Sequence, residues 1–413
     1  MKKVLFCLTV AAMALAVSCT KGDDGYYESA TEADYGKGEG EYAYDPTAPS
    51  GDYGEGTADS GIGGENGGGG ETGVLTAAEW NDLANWEFWT NVMNNQEWNN
   101  SFEVWKMDTS SRIAIRVKDS AGNPVVNLPV ALYQNQSCLW AAKTSVKGEA
   151  NCWFRLFPEN TESAEGLVLK IGEQMQVGQP VFSTGKGEEP VVWNEYVATA
   201  TTPQKKADIA FIVDATGSMG DEIAFLKEDL LSILTSVQQS QAGVEIRTGA
   251  VFYRDEGDKY VTRYDDFTTN ISNTMQFIGK QDADGGGDLP EAVHTALETT
   301  LQKLSWNPEA RSRIAFLILD APAHYNHQGV VESIHQSLKA FAEQGIHIIP
   351  VLASNMDKTS EFMCRYFAIV TDGTYVFLTD DSGVGGSHLT PTVGQYTVEK
   401  LNDLLVRLIN ENI

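Results

Sequence analysis

The chain has 413 residues, enough for two or three domains at roughly 150 residues each. It carries 57 Asp and Glu against 29 Lys and Arg, a formal net charge of −28. Nucleic-acid affinity rests on Lys and Arg neutralising phosphate, and no basic stripe occurs, so direct DNA or RNA binding is all but excluded. With 42% hydrophobic and 10% aromatic residues the bulk reads as ordinary globular protein, although its 39 glycines are unevenly placed.

Residues 1–18 follow the plan of an export signal: Lys2 and Lys3, then an apolar run from Val4 to Val17 too short to span a bilayer permanently. The run ends Ala16-Val17-Ser18-Cys19, which resembles the lipobox of bacterial lipoproteins, whose cysteine is acylated. The resemblance implies lipidation at Cys19 and anchoring by acyl chains worth about 0.8 kcal/mol per buried methylene. Residues 19–74 form an acidic, glycine-rich stretch, in which Lys37 is the only base between Gly22 and Gly73. Such a composition cannot bury enough apolar surface to offset ordering, so a disordered tether is expected. Asp23-Asp24 resembles the surface-export signal of some outer-membrane lipoproteins, which implies a surface-exposed outer-membrane lipoprotein that meets the membrane only through its anchor.

Residues 75–107 hold Trp80, Trp86, Trp89, Trp98 and Trp105. Thr76 with Glu79 reads as a capping box, and Trp80, Leu83, Ala84, Phe88 and Val92 fall near helical spacing, so one or two helices are expected. A stripe of that spacing points to packing rather than to an aromatic platform for glycans. From 108 to 200 the period changes to two: Ile113, Ile115 and Val117 alternate with Arg and Lys, and short strands recur to residue 196. This predicts a small β-sandwich. Its first two strands and the run KGEANCWF resemble the transthyretin-like or immunoglobulin-like modules of bacterial surface proteins. Cys138 and Cys152 lie in neighbouring strand-like runs and are open to pairing in an oxidising compartment, whereas Cys364 sits in an apolar helical run and reads as a buried small hydrophobe.

From 205 to 413 apolar strands (209–213, 247–253, 314–319, 347–352, 375–378) alternate with amphipathic helices (221–237, 290–303, 330–344, 359–367, 398–409). That order predicts an α/β fold, a doubly wound and mostly parallel sheet covered on both faces. Ligands of such sheets bind outside the carboxyl ends of the strands. Three loops there carry oxygen ligands. The first is Asp214-Ala-Thr216-Gly-Ser218. The second is Asp284-Gly-Gly-Gly-Asp288-Leu-Pro290-Glu291, and the third opens with Asp320 directly after a buried strand. An ionised Asp320 there would be costly without a cation or hydrogen bonds. Asp214, Thr216, Ser218, Glu291 and Asp320, with Asp288 as an auxiliary group, form an all-oxygen set suited to Mg²⁺, with Mn²⁺ or Ca²⁺ as alternatives. Taken alone, Asp214, Thr216 and Ser218 would serve equally well as caps of the following helix.

DATGSM, GGGDLPEA and LILDAP, in that order, resemble the von Willebrand factor A (VWA) domain with a metal-ion-dependent adhesion site. The resemblance implies that Asp214, Thr216, Ser218, Glu291 and Asp320 hold the metal, and that an acidic side chain of a protein ligand fills its open position. It also implies that the last helix can couple to that exchange. Arg254-Asp255 resembles a Y-R-D element of related domains, with an ion pair at the sheet's end as an equal reading. Asp282-Ala-Asp284-Gly begins like a calcium loop, but Val293 stands at position twelve and the segment reads as a polar turn. His324-x-x-His327, with His335 further on, admits a metal-dependent hydrolase as an alternative. No H-E-x-x-H or G-x-S-x-G occurs. The expectation is therefore a non-enzymatic binding protein, acting in adhesion or surface-complex assembly, with a scaffold subunit of a cell-envelope complex as the other alternative.

Overall fold

The structure is a computed structural model that describes residues 75–413 apart from 158–162, 177, 288, 354–355 and 380–389. The expected signal segment, the tether, Cys19 and Asp288 lie outside the described residues. Among those described, no helix is long and apolar enough to cross a membrane.

The chain begins with strand β1 (Thr76–Trp80), followed by helices α1 (Trp86–Met93) and α2 (Gln96–Trp105). The expectation of a helix capped by Thr76 and Glu79 is therefore wrong at its start. Ala77 and Ala78 are fully buried on opposite faces of β1, and the Thr76 hydroxyl bonds to Thr379 instead of to a helix amide. The two helices behave as the stripe suggests. Trp86, Trp89, Trp98 and Trp105 are each at most 1% exposed, so they are core and not a platform.

Two small sheets follow. β2 (Arg112–Lys118), β3 (Pro129–Gln134), β4 (Ser137–Lys143), β5 (Glu149–Trp153), β6 (Leu167–Ile171), β7 (Gln174–Gln176) and β8 (Trp193–Val197) pair as β5-β2-β8 and β4-β3-β6-β7. Ile113, Ile115, Leu132, Trp140 and Leu169, from both sheets, belong to one apolar core. Cys138 is an exposed free thiol on β4 and Cys152 a buried free thiol on β5, so the pairing that sequence left open is not made. The two cysteines belong to different sheets, and adjacency in sequence does not bring them together.

The remaining elements are β9 (Gln204–Asp214), α3 (Gly220–Ser240), β10 (Glu245–Tyr253), β11 (Thr262–Thr268), α4 (Ile271–Ile278), α5 (Val293–Lys303), β12 (Ala310–Leu319), α6 (Val330–Gln344), β13 (His347–Leu352), α7 (Lys358–Val370), β14 (Tyr375–Thr379), β15 (Glu399–Lys400) and α8 (Leu401–Asn412). They form an eight-stranded mixed sheet in the order β11-β10-β9-β12-β13-β14-β1-β15. The strands β10, β9, β12, β13 and β14 run parallel, and β11, β1 and β15 are antiparallel to their neighbours. The chain moves from β9 to β10 on one side and then to β12 on the other, and crossovers of one hand running in opposite directions place helices on both faces, so the apolar side chains divide into two cores.

Helix α7 is buried on every side from Ser360 to Val370 because α1 and α2 cover the face turned away from the sheet. Trp89 and Trp98 pack on Phe362 with ring centroids 5.4 and 4.6 Å apart. Arg365 on α7 pairs with Asp82 and Glu361, all buried. On the other flank α6 meets the small sheets, where His335 stacks on Phe157 at 4.0 Å and its Nε2 lies 2.8 Å from the Trp105 carbonyl.

Candidate metal centre

The site is built where β9, β10 and β12 end. Asp214 closes β9 in register with Tyr253, the last residue of β10, and Asp320 follows the last residue of β12. Backbone hydrogen bonds then stitch the loops together. Ala215 N donates to Tyr253 O at 2.8 Å, Asp284 N to Ala215 O at 3.1 Å and Gly217 N to Gly285 O at 3.2 Å. Glu291 N donates to Pro322 O at 2.8 Å, and Glu291 forms an isolated parallel bridge with Ala323. Segments more than seventy residues apart are thereby fixed around one mouth before any side chain is considered.

Into that mouth the carboxylates converge. Asp214 Oδ1 accepts from Thr216 N at 2.9 Å and from Thr216 Oγ1 at 2.7 Å, while its Oδ2 is buried without a hydrogen-bond partner. Glu291 Oε2 is likewise buried and unpartnered. Burial and the neighbouring Asp320 raise the Asp214 carboxyl to about 7 against the hydrogen bonds from Thr216. Burial, followed by the charges of Asp214, Asp255, Asp320 and Asp258, raises Glu291 to about 9. Burial also raises Asp320, and the Ser218 hydroxyl partly offsets it. The Tyr253 hydroxyl is buried beside them and partly offsets the rise at Asp214, while burial together with those three carboxylates pushes the phenol itself well up.

Glycines make this approach possible. Gly286 has φ of +70°, and a Cβ there would lie 3.2 Å from Glu291 Oε1 and 3.2 Å from Thr216 Cβ. Gly285 has φ of +81°, and its Cβ would strike Asp258 Oδ2 at 2.5 Å. Asp258 Oδ2 also accepts from Gly286 N at 3.0 Å, which pins the glycine loop over the mouth.

The capping reading of the first loop does not hold. Thr216 and Met219, at the starts of the short 3-10 turn and of α3, give no side-chain cap hydrogen bond, and Asp214 spends one oxygen on Thr216 alone. Asp214, Thr216, Glu291 and Asp320 are buried, with Ser218 exposed at the rim. Arg254 faces the other way: its Nη2 donates to Asp282 O at 2.7 Å and its Nη1 lies 3.3 Å from Asp284 Oδ2, so it braces the second loop. Asp282 takes an ion pair from Lys227 at 2.9 Å. Asp255 pairs with His324 Nε2, and the His324 ring stacks on His327 with centroids 4.4 Å apart. His335 lies away from them, against Phe157.

Sequence reasoning missed Tyr253 and Asp258. Tyr253 reads from sequence as the end of an apolar strand and the tyrosine of the Y-R-D element, with no part in the metal mouth, and nothing in the local pattern marks Asp258. Among the described residues no group of three or more His, Cys, Asp or Glu would by itself hold a metal ion. A cation at this mouth would therefore draw on the hydroxyls of Thr216 and Ser218 as well as on the acids. The two buried carboxylate oxygens that take no hydrogen bond fit such a group.

Comparison with known proteins agrees with the architecture. Residues 208–383 match the family model of the von Willebrand factor A domain. An ariadne-like RING finger protein of Acanthamoeba polyphaga mimivirus is 28% identical over 190 residues, spanning 42% of this chain and 18% of the relative. The alpha-protein kinase vwkA of Dictyostelium discoideum is 30% identical over 184 residues, spanning 39% of this chain and 29% of the relative. The chain thus covers less than a third of either. Among solved structures, the pilus adhesin SpaC of Lactobacillus rhamnosus GG matches 41% of this chain and 28% of its own at 14% identity, with a TM-score of 0.30 that carries no structural argument.

Proposed function

We propose that the VWA domain of this chain binds a protein partner through a divalent cation, Mg²⁺ by preference, at the mouth formed by Asp214, Thr216, Ser218, Glu291 and Asp320. VWA domains generally mediate protein–protein interaction, which is consistent with a protein partner. The observation that supports a cation there is the pair of buried, unpartnered oxygens, Asp214 Oδ2 and Glu291 Oε2, beside Asp320: burial raises all three carboxyls, and neighbouring carboxylates raise Asp214 and Glu291 further. Unsatisfied buried oxygens are costly, and a hard cation relieves several at once.

A bound cation would supply a local positive charge to which a carboxylate of the partner adds in place of water. The chain's own residues do the rest. Asp214 is oriented by Thr216, Glu291 is fixed through Pro322 and Ala323, and Ser218 at the exposed rim adjoins the approaching ligand. Arg254 and the Asp255–His324 pair hold the loop scaffold, which is why we assign His324 and His327 a positioning role and no catalysis. In this reading the two small sheets act as a spacer, and Cys19 and the tether, outside the described residues, display the domain from an outer membrane.

The test is an Mn²⁺ titration followed by electron paramagnetic resonance on the whole chain, with Mg²⁺ as competitor, for the wild type, Asp214→Ala and Asp320→Ala. One displaceable ion, lost in both variants, is the expected result. Equal binding by wild type and variants overturns the metal site. Capture of a partner that is insensitive to EDTA overturns its role in recognition.

A further inference from the structure

Away from the carboxyl-rich mouth, a cleft of about 830 Å³ opens between the turn after β1, the β5-β2-β8 sheet and the segment leading into α8. That volume falls within the range of about 300–1,000 Å³ typical of small-molecule sites. We infer that this cleft binds a neutral saccharide. The inference is independent of the metal reading.

The walls decide the chemistry. Five carboxylates line the cleft against three cationic side chains, so a phosphate or sulfate ligand would be repelled. Those charges are largely spent on one another. Arg407 Nη1 lies 2.6 Å from Glu79 Oε1, and its Nη2 pairs with Glu399. Arg112 donates to Asn151 Oδ1 at 2.7 Å and to Leu83 O at 2.9 Å, and Asp372 accepts from Asn151 Nδ2 at 2.6 Å. A cationic ligand would therefore find few carboxylates without a partner, and a purely apolar one would strand these polar groups.

What the cleft still offers suits a polyhydroxylated ring. Tyr396 is 44% exposed and stands edge-on against Phe377, with centroids 5.0 Å apart and the rings at 90°, which fixes its orientation. Beside it Gln395 is exposed, and among the described residues its amide takes no hydrogen bond. Asn85 and Lys147 line the same cleft, with the indole of Trp193 on the sheet opposite. Sugar hydroxyls both donate and accept, matching the Gln395 and Asn85 amides and the Lys147 ammonium together. The C–H face of a pyranose packs on a held aromatic ring.

The experiment is a screen of the whole chain on an array of neutral glucose, galactose, mannose and N-acetylhexosamine oligomers, followed by calorimetric titration of the best binder. The expected result is a dissociation constant below about 1 mM, weakened at least tenfold in both Tyr396→Ala and Gln395→Ala at unchanged melting temperature. EDTA should leave this binding intact while removing any metal-dependent activity, so the two sites fail or succeed separately. The saccharide site is overturned if no neutral glycan on the array binds, or if Tyr396→Ala binds as the wild type does.

Discussion

Arg365 and Asp82, 283 residues apart in the chain, meet in a two-point ion pair. Nε to Oδ2 is 2.9 Å and Nη2 to Oδ1 is 2.6 Å, with neither side chain more than 1% exposed. Asp82 also accepts from Trp80 Nε1 at 3.0 Å, and Arg365 lies over the Trp89 ring at 4.9 Å. The pair ties the segment after β1 to the most deeply buried helix of the molecule. Removing Arg365 leaves Asp82 buried without a cation, which costs about 3–5 kcal/mol. Arg365→Ala should lower stability by that order in chemical denaturation, and Asp82→Ala by less, because Arg365 keeps Glu361. The double variant should lose less than the sum of the two, and strict additivity would show that the pair is not coupled.

Proton linkage at the metal mouth gives a second expectation. With Asp214 near 7 and Glu291 near 9, both values are raised, so below them the folded site holds protons that a cation must displace. Mg²⁺ affinity should therefore climb from pH 6 to 9, by about tenfold per pH unit for each proton displaced, and level off above. The same sign governs the cation-free fold. It binds more protons than the unfolded chain, so these groups make stability fall as pH rises from about 4 to 9. Calorimetric titrations in two buffers of different ionisation enthalpy measure the released protons. A heat independent of buffer at pH 7 contradicts the linkage.

Gly286→Ala probes the glycine loop. The added methyl sits at φ of +70° and presses on Glu291 and Thr216, so cation affinity should drop at least tenfold. Because the loop lies at the surface, the melting temperature should change by only a few degrees. Gly287→Ala, where a Cβ meets nothing within 4 Å, serves as the control and should titrate as the wild type.

Thiol chemistry separates the cysteines. Cys138 is exposed and its thiol is raised by burial of its surroundings, whereas Cys152 and Cys364 are enclosed and pushed well up. Mild alkylation of native protein with peptide-level mass spectrometry should modify Cys138 slowly, faster at higher pH, and spare the other two until the protein is unfolded. A Cys138–Cys152 disulfide in the non-reduced digest would overturn this.

The parallel core of the sheet was legible because its strands are apolar throughout and its helices periodic. α6 and β13 fall where the pattern puts them, at 330–344 and 347–352. β1 was not legible, since Thr-Ala-Ala-Glu-Trp is equally good as a helix start, and only pairing with β14 makes it a strand. β11 escaped for the opposite reason. Its Asp265 and Asp266 blunt an edge strand and erase the apolar signal. At the site the ordered motifs marked the acids, but Tyr253 and Asp258 enter it only through the register of β10 and the fold of the glycine loop.

The place of β1 bears on when this protein can fold. Thr76 pairs with Thr379 on one side and with Lys400 on the other, so a strand made early in synthesis waits for partners made more than three hundred residues later. Until residues 375–379 are made β1 has no strand to pair with, although Trp86 behind it can already settle against Trp153 and Ser183. Closing that edge of the sheet is therefore a long-range step, which slows folding relative to the local pairing of the small sheets.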